Sequence, residues 1–457
     1  MKKVTPKKLV FLFSCILIIL VFFIAGYSKQ EITFEKKNIP NLELGTDDLS
    51  IWVINDLHYL AESLNNEGEA FHEIAKTVAG KEVYYQQETM EAFIWKLKKN
   101  SPEYLIVNGD LTFNGEKESF LELQHYFEEI ESFGTQVLVN PGNHDISNGW
   151  ARSYIDAEQG KTDSIGPKEF VEIFKQQGYD NWLSKDPASL SYVQAVRKDL
   201  WIVMVDSNRY LPQTNGKPAP PGGSVKEETV EWLEEVKEMA QLNGAEILPV
   251  MHHNLLRHNS FINGEHQIDN AEEIIEIWKE LDVKVALTAH LHAQNIQQTA
   301  AAPFYEISTG AVAIYPSSIG EIEISADRFA YERTTIPVAD WSLAKGYTNE
   351  SLLNFSTYKK EIFMEDSRKI GKQILHQKNE IKKETVLAVG DFVAEINTDF
   401  FSGKNSLPIE GRQESIQQIK QKEAYRWIEK YSSEWLLPYV ESIVFEDTIP
   451  DTQLIIN

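Results

Sequence analysis

The chain has a single cysteine in 457 residues, and Cys15 lies inside an apolar run near the N-terminus. Whatever folds beyond that run has no cysteine and no disulfide, so its stability must come from core burial, with metal as a further source. Attachment of lipid would need the cysteine just after the run rather than in its middle, so Cys15 is not read as a lipid anchor. No block of Lys or Arg occurs outside the extreme N-terminus, and 44 Lys and Arg face 69 Asp and Glu, a formal charge of −25. That balance excludes a protein that grips nucleic acid by neutralising its phosphates and disfavours anionic membrane surfaces. There is no internal repeat and no low-complexity tract. With 42% apolar and 11% aromatic residues the chain can fill a sizeable core, and 25% charged residues is ordinary, so a disordered acidic tail is not the source of the charge.

The N-terminus holds Lys2, Lys3, Lys7 and Lys8, then an apolar run from Leu9 to Gly26, and no acidic residue before Glu31. This pattern predicts an export signal or an N-terminal membrane anchor over residues 1–28. The run, about 18 residues, is at the short end for a spanning helix, and Gly26-Tyr27-Ser28 is a fair match to a cleavage site. Cleaved and anchored forms both stay open. In either, the basic residues remain inside and everything after about Lys29 is expected outside the cytoplasm, secreted or membrane-anchored. Loss of the four lysines would take the formal charge from −25 to −29.

Residues 29–46 are polar and read as a linker. Beyond them strand-like runs at Leu49 to Asn55, Tyr104 to Asn108, Gln136 to Asn140, Leu200 to Val205, Glu246 to Met251, Val283 to Thr288 and Phe304 to Ile307 alternate with helical patterns such as Met90, Phe93, Ile94 and Leu97. Alternation of this kind predicts an α/β layered domain over 47–342, closed by a pair of strands between Glu321 and Ile336. From 343 to 457 strand runs give way to helix-period stripes, among them Val389, Phe392, Val393 and Ile396, and predict a helical C-terminal domain with a loop near Ser402 to Gly411. The Pro/Gly-rich segment from Tyr210 to Ser224 reads as a long surface loop.

Metal-ligating residue types sit at the C-terminal ends of the strand runs, where an open α/β sheet places its site. Asp56 and His58 follow the first run, Gly109-Asp110 the second, and Gly142-Asn143-His144-Asp145 the third. His252-His253 follow the fifth and His290-Leu291-His292 the sixth. Side chains at i and i+2 can turn toward one point as the chain leaves a strand. Carboxylate, imidazole and amide oxygen together suit divalent transition metals such as Mn, Fe or Zn better than calcium. Two metals sharing a carboxylate need about seven protein ligands. Asp56, His58, Asp110, Asn143, His252, His290 and His292 supply that number. His253 competes with His252, which is favoured because it directly ends its run.

These five blocks, Asp-x-His, Gly-Asp, Gly-Asn-His-Asp, His and x-His-x-His, resemble the signature of the calcineurin-like metallophosphoesterases. The resemblance is greatest to the class III cyclic-nucleotide phosphodiesterases, partly from Gly109-Asp110-Leu111-Thr112. It spans Asp56 to His292, and one position departs, Ala289 where the last block usually has Gly. Gly-Asn-His-Asp alone is expected by chance in roughly one in several hundred chains of this length, so five blocks in order are not coincidence. The resemblance implies a four-layer sandwich of two mixed sheets flanked by helices, and the helix-period stripes beyond it add an all-α C-terminal domain. It further implies a first metal on Asp56, His58, Asp110 and His292, and a second on Asp110, Asn143, His252 and His290. His144 would protonate the leaving oxygen while Asp145 orients its ring, and a hydroxide between the metals would attack phosphorus in line.

The leading expectation is hydrolysis of phosphodiesters, cyclic nucleotides being the class the resemblance suggests. A phosphomonoesterase or nucleotidase, an envelope phosphodiesterase and a non-catalytic surface binding protein are the alternatives. The acid excess points to small phosphate esters as substrates rather than nucleic-acid polymers, and to membrane contact only through the N-terminal segment. Among other polar residues, Asn108 and Asn140 read as turn formers, Arg257 and His258 as an exposed loop pair or a phosphate contact, and Asp206-Ser207 as structural. His72, His125, His266 and His376 are expected to face solvent.

Overall fold

Short runs of β-branched and aliphatic residues bounded by turns build two sheets. The computed structural model describes residues 48–457, except 211–216, 263, 301–302, 377–380, 405–406, 408–410 and 447–448. The N-terminal segment and linker expected over 1–46 lie outside the described residues. Among the described residues no helix is long and apolar enough to cross a membrane.

The first sheet has the order β15-β14-β13-β1-β2-β3, from Gln453–Ile456 (β15), Arg328–Thr335 (β14), Ser318–Ser325 (β13), Leu49–Ile54 (β1), Tyr104–Asn108 (β2) and Gln136–Asn140 (β3). β1, β2 and β3 are parallel, and β13 joins β1 antiparallel. The second has the order β11-β12-β10-β9-β8-β7-β6, from Asn295–Gln298 (β11), Tyr305–Ser308 (β12), Val285–Thr288 (β10), Glu246–Met251 (β9), Leu200–Val205 (β8), Tyr192–Arg197 (β7) and Ser184–Lys185 (β6). β8, β9, β10 and β12 run parallel. A separate hairpin, Arg152–Ile155 (β4) with Glu158–Lys161 (β5), follows β3.

The parallel strands are buried on both faces, as their unbroken apolar sequences require: β8 is buried at every position. Helices Gln86–Asn100 (α2) and Lys117–Glu131 (α3) bury the stripes Met90, Phe93, Ile94, Leu97 and Phe120, Leu123, Phe127, Ile130. Helices Glu69–Ala75 (α1), Pro167–Ile173 (α4), Glu227–Asn243 (α5) and Ala271–Glu280 (α6) complete this part of the fold. The result is the mixed α/β layering expected, with two sheets flanked by helices.

The C-terminal region starts its helices earlier than expected, at Val338–Lys345 (α7), followed by Glu350–Leu353 (α8), Phe355–His376 (α9), Lys383–Phe401 (α10), Arg412–Gln421 (α11), Glu423–Tyr431 (α12) and Leu436–Phe445 (α13). It is not purely helical, because β15 returns to pair with β14. Four residues of alternating exposure are too short a signal to stand out in sequence. Helix α8 is capped by the Asn349 side chain, which accepts from the Ser351 and Leu352 amides. The helical core, built on Val389, Val393, Phe400, Ile428, Leu436, Val440 and Ile443, also contains Leu291 and Ala293 of the α/β part.

Candidate metal centre

The exits of β1, β2, β3, β9 and β10 converge. The β1–β2 ladder continues past the strands, with the Asp56 amide donating to the Gly109 carbonyl (3.0 Å) and the His58 amide to the Asp110 carbonyl (2.9 Å). Asp56, His58, Asp110, His290 and His292 all have left-handed backbone, φ between 43° and 64°. Non-glycine residues rarely adopt it, and such strain gathers where side chains must be aimed. The glycines of the motifs clear space: a Cβ on Gly109 would lie 2.2 Å from His252 Nδ1, and one on Gly142 2.1 Å from the Asp110 nitrogen. Both must be glycine for the exits to pack.

Two groups of potential ligand atoms result, each with its members within 4.8 Å of one another: Asp56, His58, Asp110 and His292, and Asp110, His252 and His290. Asp110 is common to both. Its Oδ2 is 3.7 Å from His58 Nε2 and its Oδ1 is 3.4 Å from His252 Nε2. Asn143 Oδ1 lies 3.3 Å from His252 Nε2, which brings it to the second group. His58 Nε2 and His292 Nε2 face each other at 3.1 Å, and His292 Nε2 is 3.5 Å from Asp56 Oδ1. All seven expected ligands are therefore brought together.

The hydrogen bonds leave lone pairs aimed inward. His252 Nδ1 meets the Asn108 carbonyl at 3.1 Å, so its N–H is spent there and Nε2 is free to accept a cation. His290 Nε2 lies 3.3 Å from the Glu265 carbonyl, while its Nδ1 is buried without a hydrogen-bond partner, as is Asp56 Oδ1. Buried polar atoms left unpaired are costly, and a shared cation resolves several at once. Burial holds His58, His290 and His292 well below the usual imidazole range. Burial opposes Asp110 in staying ionised, yet His252 and His144 hold it well below the carboxylate range. Burial pushes Asp56 up to about 7. Burial pushes His252 down, but Asp110 together with Asp56 and the Asn108 carbonyl draws it up to about 9. The protons that Asp56 and His252 take up in the protein alone are what bound cations displace. The donor set thus fits a pair of divalent metals.

His253 is turned away, held between Ser207 Oγ (2.8 Å) and the Pro221 carbonyl (3.0 Å), so it is His252 that meets Asp110. The expected role of Asp145 is corrected. His144 Nδ1 donates to the Phe113 carbonyl at 2.8 Å, and that carbonyl, not Asp145, orients the ring. The Asp145 carboxylate is taken up by the Gly142 amide (2.8 Å), the Thr112 amide (2.9 Å), the Leu111 amide (3.1 Å) and Thr112 Oγ1 (3.0 Å). Four donors from the β2 and β3 exits leave it stapling those loops.

Several other polar residues take places that differ from the expected ones. Asn108 and Asn140 tie the sheets together beneath the centre, through Asn108 Nδ2 to the Met251 carbonyl (2.8 Å) and Asn140 Nδ2 to the Val205 carbonyl (3.2 Å). His258 is buried between Asn295 Oδ1 (2.7 Å) and Glu306 Oε1 (3.2 Å), while Arg257 is exposed. His266 does not face solvent freely: its ring lies 5.0 Å from that of His290. His72 and His125 are exposed, and the side chain of His376 lies outside the described residues.

Glu116, beneath the His144 loop, accepts from the Asn114 amide at 2.7 Å and leaves Oε1 buried without a partner. Burial raises its pKa to about 7 from an ordinary 4.5. The folded state thus holds a proton that the unfolded chain releases, and this group's contribution to stability falls as pH rises from about 4.5 to about 7. Glu116→Gln should abolish that loss. Urea unfolding at pH 5 and pH 8 should show the variant gaining on the parent by up to about 3 kcal/mol. Equal changes in both proteins would contradict this.

A family model described as calcineurin-like phosphoesterase matches residues 49–294, and the chain belongs to that family of metallophosphoesterases. A second, the C-terminal domain of cyclic nucleotide phosphodiesterase, matches residues 337–451. Among solved structures the chain is similar to a dimetal phosphatase from Danio rerio, at 11% identity and a TM-score of 0.44, over 63% of this chain and 98% of that one. It is also similar to the purple acid phosphatase PPD1 from yellow lupin, at 11% identity and a TM-score of 0.40, over 64% and 52%. No curated protein matches the sequence.

Proposed function

We propose that the chain hydrolyses small phosphodiesters, cyclic nucleotides among them, at a centre holding two divalent transition metals, Mn or Fe first and Zn next. The observation that supports this best is the convergence of seven ligand side chains on two groups that share Asp110. The match of residues 337–451 to a cyclic nucleotide phosphodiesterase domain favours the cyclic substrate class. Two such cations, when bound, supply Lewis-acid charge at the phosphoryl oxygens and a hydroxide nucleophile at neutral pH.

The chain's own residues do the rest. Asp56, His58 and His292 would hold one cation, Asn143, His252 and His290 the other, with Asp110 common to both groups. His144, its ring 4.7 Å from that of His58 and its Nδ1–H fixed on the Phe113 carbonyl, holds at Nε2 the proton passed to the departing alkoxide. Burial pulls the pKa of His144 down, while Asp110 and the Phe113 carbonyl favour the protonated ring. The basic and apolar pattern of residues 1–28 supports a site of action outside the cytoplasm, and the acid excess favours small esters.

The full chain should hydrolyse bis-p-nitrophenyl phosphate with Mn²⁺. His144→Ala should lower kcat by about 10²- to 10³-fold with both metals retained. Parallel rates on a monoester, a linear diester and a cyclic diester separate the substrate classes. Inertness with every transition metal, or an unchanged rate in His144→Ala, would defeat the mechanism, and a preference for long DNA or RNA would defeat the substrate class.

A further inference from the structure

A turn tied to the Asp56 exit carries a lysine whose ammonium has no hydrogen-bond or ion-pair partner among the described residues. Lys81 sits in the turn between α1 and α2, where Ala79 and Gly80 have φ of 53° and 75°. The turn is pinned on both sides. Its next residue, Glu82, donates its amide to the Ala313 carbonyl (2.8 Å), and the Ala313 amide donates to the Asp56 carbonyl (3.1 Å), so two hydrogen bonds link the Lys81 backbone to a metal ligand. On the other side Phe363 of α9 packs on Gly80, where a Cβ would stand 3.0 Å from its ring.

The half-buried Lys81 side chain lies in the electrostatic field of Asp110 and Asp56, and itself acts on His58, His144 and His292. Among the described residues its ammonium has no hydrogen bond and no carboxylate within 4.0 Å. The adjacent carboxylates are engaged elsewhere. Glu82 accepts from the Tyr84 and Tyr85 amides (2.7 and 3.1 Å), and Asp366 accepts from Lys369 Nζ (2.9 Å). A partly desolvated ammonium kept from its nearest acids is costly to fold and is suited to an anion that arrives later.

We propose that Lys81 is a substrate-binding residue, its ammonium contacting a non-bridging oxygen of the phosphoryl group on the side of the centre formed by Asp56, His58 and His292. This deepens the phosphoesterase reading and rests on it. Phosphate esters are anions that must approach a chain of formal charge −25, and a fixed ammonium beside the cations adds short-range attraction that salt screens little.

The test uses the full chain loaded with Mn²⁺, as Lys81→Met and Lys81→Arg. Metal per chain is measured by elemental analysis, KM and kcat with bis-p-nitrophenyl phosphate, and inorganic phosphate binding by calorimetry. Lys81→Met should weaken phosphate binding and raise KM by about tenfold or more with both metals retained, and Lys81→Arg should restore most of the loss. Unchanged phosphate affinity, or loss of metal in Lys81→Met, overturns the proposal. Should the parent bind phosphate through Lys81 yet cleave no ester, the reaction is wrong and the contact stands. A parent that binds no phosphate defeats both.

Discussion

Asp110→Asn should empty both halves of the centre and lower turnover of bis-p-nitrophenyl phosphate by about a thousandfold or more. Asp110 is the one residue common to the two ligand groups, with Oδ1 toward His252 and Oδ2 toward His58. An amide keeps one acceptor, loses the charge, and presents N–H donors where a cation should sit. The His144 amide also donates to Asp110 Oδ1 at 2.8 Å, so the change disturbs the His144 backbone as well. Asp56→Asn is the informative comparison, because Asp56 belongs to one group only and should cost one metal. Elemental analysis should therefore give fewer than one metal per chain for Asp110→Asn and about one for Asp56→Asn. Two metals retained in Asp110→Asn would rule out a shared carboxylate.

That centre was legible because the chemistry restricts which residue types stand at strand exits, and the strand runs themselves are apolar enough to locate. Asp56, Asp110 and His252 follow β1, β2 and β9 almost at once, so the two sheets together gather residues up to 236 positions apart, from Asp56 to His292. Roles that depend on three-dimensional donors were not legible. Asp145 reads as a partner for its neighbour His144 until the Leu111, Thr112 and Gly142 amides are seen to saturate it. Asn108 and Asn140 look like turn residues, yet they span the gap between the sheets, a relation between β2, β3 and the distant β8 and β9. Lys81 belongs to no motif and gains meaning only from the Ala313 carbonyl that positions its turn. The left-handed backbone of five ligands also leaves no trace in sequence, since none of the five is glycine.

The helical C-terminal region left no clue to its role in the sequence, because its stripes look like ordinary helix packing. They are that, but the core they build reaches into the metal centre. Leu291, between His290 and His292, is 3% exposed and packs with Val389, Val393 and Ile443.

Around it the Gln294 amide donates to the Phe401 carbonyl (3.1 Å), Arg333 donates to the Ser402 carbonyl (2.9 Å), and Lys359 Nζ donates to the Val312 carbonyl (2.6 Å) and Ser317 Oγ (2.7 Å). Phe261, in the loop that leads to His266, packs on Trp435 and Tyr439 at 5.6 and 5.9 Å. A chain ended after Ile336 would expose these surfaces and lose β15 from the edge of the first sheet. It is expected to yield no soluble, metal-loaded protein.

Leu291→Ala gives the graded form of the same result. A leucine cut back in a closed core costs about 2–5 kcal/mol, and here the cavity opens beneath two strained ligands. Its affinity for Mn²⁺ should fall by about tenfold or more, although Leu291 touches no metal, while a core change remote from the ligands, Val440→Ala, should destabilise the fold with less effect on metal. Fluorescence-detected unfolding and Mn²⁺ titration separate the two effects. Equal metal affinities for both variants, or a soluble active chain ending at Ile336, would show that the α/β part holds its centre unaided.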